Sequence, residues 1–417
     1  MDFDPRTFLL QLFHTAVDAV APFRCVPSNL PGAPRGRTVV VGAGKAAAAM
    51  AKAVEDYWQG PLSGLVITRY GHGVPTRAIE LVEAGHPVPD AAGLAAAARM
   101  LGLVQGLTPD DLVLALISGG GSSLLTLPAS GISLDDKQSV TRALLACGAP
   151  IAEINCVRKH LSSVKGGRLA LAAGPAAIVS LIISDVPGDD PATVASGPTL
   201  PDPTTREQAL AILRKYEISV PASVRRWLEN PESETPKPET RTFARVESRI
   251  VASARGALAA AARAAEAAGF RAIILGDDIE GEAREVARAH AGLALAQLRE
   301  GKPCVLISGG ETTVTVKGAG RGGRNSEYLL ALGLALNGAR GISAIACDTD
   351  GIDGTETNAG AIIGEETLAR ARALGADGKA ALANNDAYGF FRILGDLVET
   401  GPTRTNVNDF RAILVRP

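Results

Sequence analysis

The sequence predicts an α/β protein of two domains, and three observations lead to that prediction. The chain has 417 residues, more than a single hydrophobic core usually serves. Short aliphatic and β-branched runs alternate with alanine-rich helical runs, as in a doubly wound, mostly parallel sheet. Residues 228–244 hold three prolines and four glutamates without apolar periodicity, which is typical of a surface linker. We therefore expect domains at 1–237 and 238–417, a long loop within one domain being the alternative.

The elements follow in order along the chain. Strands of the first domain are predicted at 37–41, 64–68, 112–117 and 178–183, where apolar runs have strand length. Helices are predicted between them at 45–57, 91–105 and 133–147. The second domain has predicted helices at 252–268, 281–299 and 325–336, and predicted strands at 271–275, 304–307, 343–347 and 411–415.

Composition argues against several classes of protein. The net charge is −2, with 42 basic and 44 acidic residues well mixed, so neither a nucleic-acid surface nor a membrane surface is expected. No apolar run reaches the roughly 18 to 20 residues that cross a bilayer, and the first dozen residues lack the features of a signal peptide. A cytoplasmic location is the simplest expectation. The five cysteines are scattered and form no CxxC pair, which predicts reduced thiols rather than disulfides or zinc.

The first motif that carries chemistry is a strand, a glycine turn and a helix start at residues 39–47. Backbone amides at a helix N-terminus favour anions, and glycines let a phosphate approach. Gly42, Gly44 and Ala47 fit part of a dinucleotide fingerprint, but the next strand ends at Thr68-Arg69 without the acidic residue that holds ribose. An arginine there could suit NADP, so a dinucleotide site is weakened as an interpretation but stays open. Phosphate-loop spacing fails as well, because one residue separates the glycines. Lys45 would be a cation in the first helical turn, which predicts a bound anion; a solvated surface lysine is the alternative.

A second loop, Ser118–Ser123, follows the predicted strand at 112–117 with the sequence SGGGSS. Its successive amides can form an anion nest, and its hydroxyls can donate to phosphate or carboxylate oxygens. An ordinary flexible turn is the alternative. Residues 303–313 repeat the pattern of an apolar strand that ends in Ser-Gly-Gly. Two such loops predict strand ends that face a shared ligand.

Charged residues lie on both sides of the predicted strand at 178–183. Before it, the segment 155–168 clusters basic side chains that suit a polyanion, although such a run is usually a solvated helix face. After it, three carboxylates lie at Asp185, Asp189 and Asp190. Mg²⁺ prefers one or two carboxylates together with phosphates, which predicts a magnesium site here. Local Asx turns remain the alternative for at least one of the last two aspartates.

Glycine-rich and acidic loops recur in the second domain. Arg324 follows two glycines at a predicted helix start, where it could grip a carboxylate or a transferring phosphate bidentately. The loop at 348–354 resembles half of an EF-hand loop but lacks the terminal glutamate, so calcium binding is not expected.

Taken in order, GAGKAA, SGGGSS, KGGRLA, SDVPGDD, SGGETTVTV, GGRNSE, DTDGIDG and GPTRTNVND resemble the class II glycerate 2-kinase family. The ordered set runs from residue 39 to residue 409. The resemblance implies ATP-dependent, Mg²⁺-assisted phosphorylation of D-glycerate at its 2-hydroxyl. It also implies a Rossmann-like N-terminal domain, a smaller α/β C-terminal domain and an active site in the cleft between them.

The resemblance places the family's catalytic lysine and arginine on Lys45 and Arg324. Together with the motifs, it leads to three predicted sets of contacts. Substrate contacts are expected from Lys45, Ser118, Arg324, Asn325 and Asn406. The ATP phosphates are expected at Gly119, Gly120, Gly121, Ser122, Ser123, Lys165, Gly166, Gly167, Arg168, Gly309, Gly310 and Glu311. Mg²⁺ is expected at Asp185, Asp189 and Asp190, with Asp189 also orienting the attacking hydroxyl.

Other functions stay open from sequence. Members of this family have also been labelled hydroxypyruvate reductases, so an NAD(P)H-dependent reductase is the main alternative. A non-catalytic sugar-acid or nucleotide-binding protein and a kinase for another small hydroxy acid are further alternatives. The absence of an acidic ribose ligand and of a histidine-centred acid favours the kinase over the reductase. The sequence leaves the oligomeric state open, a homodimer included.

Overall fold

A computed structural model describes residues 3–417 and confirms the predicted two-part α/β fold. Residues 22–251 form one compact unit, called here the parallel-sheet unit. Residues 252–417 form the other, called the mixed-sheet unit, together with the N-terminal segment up to Ala21. In the described range, no helix is both long and apolar enough to cross a membrane.

The parallel-sheet unit contains six strands and nine helices in the described residues. Its strands are β1 (Thr38–Ala43), β2 (Ser63–Arg69), β3 (Ile79–Ala84), β4 (Leu112–Ser118), β5 (Ala177–Ile183) and β6 (Val246–Ala252). Its helices are α2 (Pro22–Cys25), α3 (Ala47–Tyr57), α4 (Ala91–Leu103), α5 (Gly121–Leu124), α6 (Leu134–Ala146), α7 (Ile151–His160), α8 (Arg168–Ala173), α9 (Arg206–Lys215) and α10 (Ala222–Glu229).

The sheet of this unit has the strand order β3-β2-β1-β4-β5-β6, with parallel pairing from β3 to β5. This is the order of doubly wound nucleotide-binding sheets. Successive strands are added on one side of β1 as far as β3 and on its other side from β4 onward, so the switch point lies between β1 and β4. Both of these strands are buried along their whole length. Their near-continuous apolar sequences follow from this burial, because helices cover both faces of such a sheet.

The segment that the sequence predicts as a linker between domains does not separate the two units. Residues 228–244 stay within the parallel-sheet unit and lead into β6, its edge strand. Arg168 holds the segment by donating from Nη2 to the carbonyls of Ser233 at 2.9 Å and Glu234 at 3.0 Å. The Glu234 carboxylate accepts from the amide of Arg206 at 3.1 Å. The segment lacks apolar periodicity because polar contacts to the backbone anchor it, so the units divide near residue 251 rather than at 237.

The mixed-sheet unit contains the remaining described elements. Its helices are α1 (Pro5–Ala19), α11 (Ala254–Ala267), α12 (Ala283–Glu300), α13 (Arg324–Leu336), α14 (Thr367–Ala373), α15 (Gly378–Ala383) and α16 (Ala387–Leu394). Its strands are β7 (Arg271–Gly276), β8 (Gly281–Glu282), β9 (Cys304–Ser308), β10 (Thr312–Thr313), β11 (Ile342–Asp348), β12 (Gly360–Ile363), β13 (Leu397–Val398) and β14 (Asp409–Val415).

The main sheet of this unit has the order β13-β12-β11-β14-β9-β7. Strand β14 lies between β11 and β9 and is antiparallel to both, whereas β7 and β9 are parallel. Helix α1 packs against α11, β11 and β14, and Phe13 of α1 lies with its ring 5.8 Å from that of Phe410. Helix α1 therefore belongs to the mixed-sheet unit, whereas the predicted domain division placed it in the domain at 1–237.

Candidate active site

Two loops meet at the carboxyl edge of the parallel sheet, where β1 and β4 end side by side. The amide of Lys45 donates to the carbonyl of Gly119 at 2.8 Å. The amide of Ala46 donates to Ser118 Oγ at 3.0 Å. Gly44 has a φ of +141°, and a Cβ there would lie 2.1 Å from Ser118 Oγ. Glycine is therefore required, and the two loops are fixed together at the switch point of the sheet, where open α/β sheets bind ligands.

The sequence predicts Lys45 in the first turn of helix α3, but in the structure it lies just before that helix. The helix begins at Ala47, and Thr68 Oγ1 donates to the carbonyl of Gly44 at 3.0 Å. The side chain of Lys45 runs past Gly120, where an added Cβ would lie 3.3 Å from Lys45 Cγ and 3.0 Å from the His86 ring. A partly exposed lysine, a histidine and a glycine of positive φ thus lie together at the sheet edge.

The Ser118–Ser123 loop is held by its own hydroxyl groups. Ser118 is fully buried under the Lys45 loop, which favours a supporting role over direct substrate contact. Ser122 Oγ and Ser196 Oγ are 2.8 Å apart, and Ser123 Oγ donates to the carbonyl of Gly120 at 3.0 Å. Gly121 begins the short helix α5. The predicted phosphate contacts from this loop, Gly119, Gly120, Gly121, Ser122 and Ser123, stay a prediction.

The Lys165–Arg168 segment differs from the predicted phosphate cradle. The amides of Gly166 and Gly167 donate to the carbonyls of Ser196 and Gly197, at 3.1 and 2.8 Å. Lys165 is fully buried, and its Nζ donates to the carbonyl of Leu125 at 2.7 Å. These amides already have protein acceptors, and Arg168 holds the 233–234 backbone. The segment braces the unit, because its consecutive glycines adopt positive φ values and tie two loops together.

The predicted magnesium ligands lie just after β5. The carboxylate of Asp190 accepts from Ala192 N at 3.1 Å and from Thr193 Oγ1 at 2.7 Å, which is the local turn weighed as the alternative. Asp189 has a φ of +55°, and Asp185 is half-buried at the strand end. Within residues 3–417, no three histidine, cysteine or acidic side chains form a group that could hold a metal alone. Mg²⁺ needs only one or two protein carboxylates when phosphates and water supply its other ligands, so its assignment to Asp185 and Asp189 stays a prediction.

In the mixed-sheet unit, Arg324 is the first residue of α13 and is surrounded by carboxylates. Its Nε donates to Asp409 at 2.7 Å, its Nη1 to Glu311 at 2.8 Å and its Nη2 to Asp348 at 2.8 Å. Asp409 also pairs with Arg411. We call these five residues the Arg324 cluster. Two cations face three carboxylates in it, so Arg324 is fully paired by the protein itself.

The charges of the Arg324 cluster support one another. Burial alone would lower the pKa of Arg324, yet the neighbouring Asp409, Asp348 and Glu311 carboxylates raise it well above its usual value. Burial would raise the pKa of Asp409, but Arg324 and Arg411 hold it below its usual value. Arg324 and Asp409 therefore stay ionised at neutral pH.

Other predicted residues of this unit lie beside the cluster. Asn325 Nδ2 donates to Asp409 at 2.7 Å, and the carbonyl of Gly309 accepts from Arg411 at 2.9 Å. Gly310 has a φ of +102°, and its carbonyl accepts from the amide of Asp409 at 3.0 Å. Asn406 is buried on the segment that leads into β14. The starts of α13 and β14 and the end of β9 bring these residues together.

Sequence reasoning missed Asp348 and Asp409 as partners of Arg324, and Arg411 as the second cation that pairs with Asp409. Each lies at or near a strand end, and the first two stand in motifs that the sequence analysis had noted without a role. The available signal was an acidic residue at the end of one strand and another at the start of a second strand.

Two family models match the chain. A domain of unknown function, DUF4147, matches residues 8–229, and the MOFRL family matches residues 304–409. A relative from Agrobacterium vitis, provisionally named a hydroxypyruvate reductase, is 54% identical over 99% of this chain and 95% of its own length. The D-glycerate 2-kinase of Thermotoga maritima is 42% identical, over 98% of each chain.

A solved structure gives the same result at the level of the fold. The crystal structure of a glycerate kinase from Thermotoga maritima superposes with a TM-score of 0.89 at 42% sequence identity. The superposition covers 98% of this chain and 99% of that one. The similarity therefore extends over both units.

Proposed function

The chain belongs to the class II glycerate kinase family, and we propose that it transfers the γ-phosphoryl group of ATP to the 2-hydroxyl of D-glycerate. The products are 2-phosphoglycerate and ADP. The observation that carries this proposal is the Lys45 loop, fixed to Gly119 at the switch point of a doubly wound sheet. A cation at this edge can neutralise the charge of a transferring phosphoryl group.

The proposed mechanism depends mainly on positioning and charge neutralisation. The bond from glycerate O2 to the γ-phosphorus forms as the bond to the β–γ bridging oxygen breaks, ADP leaves with the bridging oxygen, and the hydroxyl proton is released to water. Lys45 stabilises the negative charge on the transferring group, and Asp189 orients the attacking hydroxyl. Mg²⁺, when held near Asp185 and Asp189, would neutralise charge on the β- and γ-phosphates.

Arg324 is assigned to bind the glycerate carboxylate or the migrating phosphoryl group. Because Arg324 already pairs with three carboxylates, an anionic ligand must replace one of them. Glu311 is the partner that exchanges most easily, since its side chain is 49% exposed while those of Asp348 and Asp409 are 6% and 0% exposed. Asn325 and Asn406 are assigned to glycerate as well.

The reductase is the second candidate, because a 54% identical relative carries that name. Strand β2 ends at Arg69, so the acidic ribose ligand of NAD-binding folds is absent at its usual place. Thr68, just before, uses its hydroxyl to support the Lys45 loop. These features favour the kinase.

One experiment separates the two functions. The purified protein is incubated with ATP, Mg²⁺ and D-glycerate, and phosphorus NMR distinguishes the 2- and 3-phosphate esters. A parallel reaction contains hydroxypyruvate and NADPH without ATP. We expect 2-phosphoglycerate in the first reaction and no NADPH oxidation in the second. NADPH oxidation without formation of a phosphate ester would overturn the kinase proposal. A further reaction with tartronate in place of D-glycerate tests which hydroxy acid the protein prefers.

A further inference from the structure

A cavity of about 310 Å³ lies within the parallel-sheet unit, beside the Lys45 and Gly120 loops. One face of α6 forms one wall of it. Residues of this face are spaced three or four apart, from Leu134 through Lys137 and Thr141 to Leu145, as neighbours on a helix surface are. The lining also includes the His86–Pro89 segment and Gly120, Ser122 and Thr126.

Lys137 is the unusual residue of this cavity. Its side chain lines the cavity but is 5% exposed, and its Nζ has no hydrogen-bond partner among the described residues. Burial, with the nearby Arg158 guanidinium, lowers the pKa of Lys137 to about 7. A buried lysine is normally paired or hydrogen-bonded, because desolvating an ammonium group is costly. Its position makes sense beside an anion that enters the cavity.

Lys137 lies near two other basic side chains, the buried Lys165 and the half-buried Arg158. Arg158 lines the same cavity and donates from Nη1 to Asn155 Oδ1 at 2.9 Å. The charges of Lys137 and Arg158 add to burial in lowering the pKa of Lys165, which places all three within electrostatic range. In the part of the chain that the structure describes, none of the three forms an ion pair with a carboxylate. An anionic ligand in the cavity would stabilise the charged forms of Lys137 and Arg158.

Part of the cavity lining is apolar and open to solvent. Pro87, Val88 and Pro89 line it together with Leu134 and Leu145, and Val88 and Leu145 are 62% and 59% exposed. Ligand sites commonly combine such apolar walls with a few fixed polar groups. A planar base would cover the exposed side chains, and Ser122 and Thr126 add hydroxyl groups to the lining.

We propose that this cavity is the nucleotide site, in which Lys137 and Arg158 bind the phosphates of a nucleoside triphosphate and Pro87–Pro89 with Leu145 contact its base. This assignment rests on the proposed kinase function. It replaces the Lys165–Arg168 amides as the phosphate contacts and places the phosphate chain next to Gly120 and Lys45. A triphosphate carries enough negative charge to pair with both Lys137 and Arg158, whereas the single carboxylate of glycerate carries only one negative charge.

The test is Lys137→Met, which keeps the length and shape of the side chain and removes its charge. Steady-state kinetics on the full chain give KM for ATP and for D-glycerate separately. We expect KM for ATP to rise about ten- to a hundredfold, the loss of a charged hydrogen bond, with KM for D-glycerate nearly unchanged. Thermal shift with ATP alone, without glycerate, should be large for the wild type and small for the variant.

The matched control is Lys52→Met on α3, since Lys52 is partly exposed and, among the described residues, forms its ion pair with Asp56 on the same helix. It should leave both KM values at their wild-type level. Leu145→Ala should weaken binding of adenosine but not of tripolyphosphate, and Lys137→Met should do the reverse. An unchanged KM for ATP in Lys137→Met, in an active and folded enzyme, would overturn the site. Absence of kinase activity in the wild type overturns the kinase function instead, and the thermal shift with ATP then decides whether the cavity binds the nucleotide.

Discussion

The Arg324 cluster and the Lys137 cavity solve the problem of buried charge in opposite ways. Arg324 is paired with three carboxylates at 2.7 to 2.8 Å. Lys137 has no hydrogen-bond partner in residues 3–417 and lies near two further cations. One region is compensated by the protein itself, and the other has excess positive charge that an anionic ligand can compensate.

This difference separates stability from binding. Removing one charged residue of a compensated cluster leaves the charge of its partner unpaired in the low-dielectric interior, which destabilises the fold. Removing an uncompensated cation should raise the free energy of unfolding, because the folded state no longer desolvates an unpaired charge. The same kind of substitution, a basic residue to methionine, should therefore lower stability in one unit and raise it in the other.

The largest effect is expected from Arg324→Met. Asp409 and Asp348 would keep their negative charge in a nearly dry environment, so the free energy of unfolding should fall by about 3–5 kcal/mol, and turnover should fall with it. Denaturant titration of the full chain measures the stability. Arg288→Met serves as control, since Arg288 and its partner Glu285 are 58% and 66% exposed and such a pair contributes about 1 kcal/mol or less. Equal losses in the two variants would refute the compensated cluster.

Lys45→Met should affect turnover without affecting stability. The lysine is partly exposed, and its loop is held by backbone contacts that the substitution keeps. Loss of a charge that stabilises the transferring phosphoryl group should lower kcat about a hundred- to a thousandfold. Rate measurements at saturating ATP and glycerate, with a melting curve, check both parts. A near-normal kcat would remove Lys45 from the mechanism.

The smallest effect is a pH dependence of stability that Lys137→Met should abolish. The pKa of Lys137 is about 7 in the folded protein, against roughly 10.4 in an unfolded chain. Between these values the unfolded state binds more protons, so Lys137 makes stability rise with pH, by at most about 1.4 kcal/mol per unit. Below pH 7 the full cost of burying the ammonium group is present.

Denaturant titrations at pH 7.5 and 9.5 test this sign. The stability advantage of Lys137→Met over the wild type should be largest at the lower pH and shrink at the higher one. Titrating groups that do not interact with Lys137 are common to both proteins and cancel in the difference. Lys165 is the exception, because the Lys137 charge helps to lower its pKa. A constant difference would mean that Lys137 keeps its proton at both pH values.

Local sequence was sufficient for most of the parallel sheet. The strands predicted at 112–117 and 178–183 are observed as β4 and β5 within one residue at each end, because fully buried strands are apolar runs of fixed length. The mixed sheet was less predictable. Strand β14 pairs antiparallel with two strands whose positions in the chain are far away, and no local pattern reports that direction.

Local sequence also could not predict the surroundings of the two charged regions. The partners of Arg324 come from positions 311, 348 and 409, so only the folded chain brings them together. Lys137 stands in the polar sequence LDDKQSVTRALLA, which reads as a solvated helix. Packing around α6 buries it, and this packing depends on α7 and α10 rather than on α6 itself.

The position of β14 also sets an order of events during synthesis. This strand follows β9 and β11 in the chain, yet it lies between them in the sheet. Helix α1 packs on β14 but precedes it by more than the whole parallel-sheet unit, so α1 lacks this partner until β14 has been synthesised. Residues 22–251 contain all partners of their own sheet and can fold during that interval. The nascent chain thus carries helix α1 ahead of a folded unit until β14 follows, which makes α1 a natural segment for a chaperone to hold.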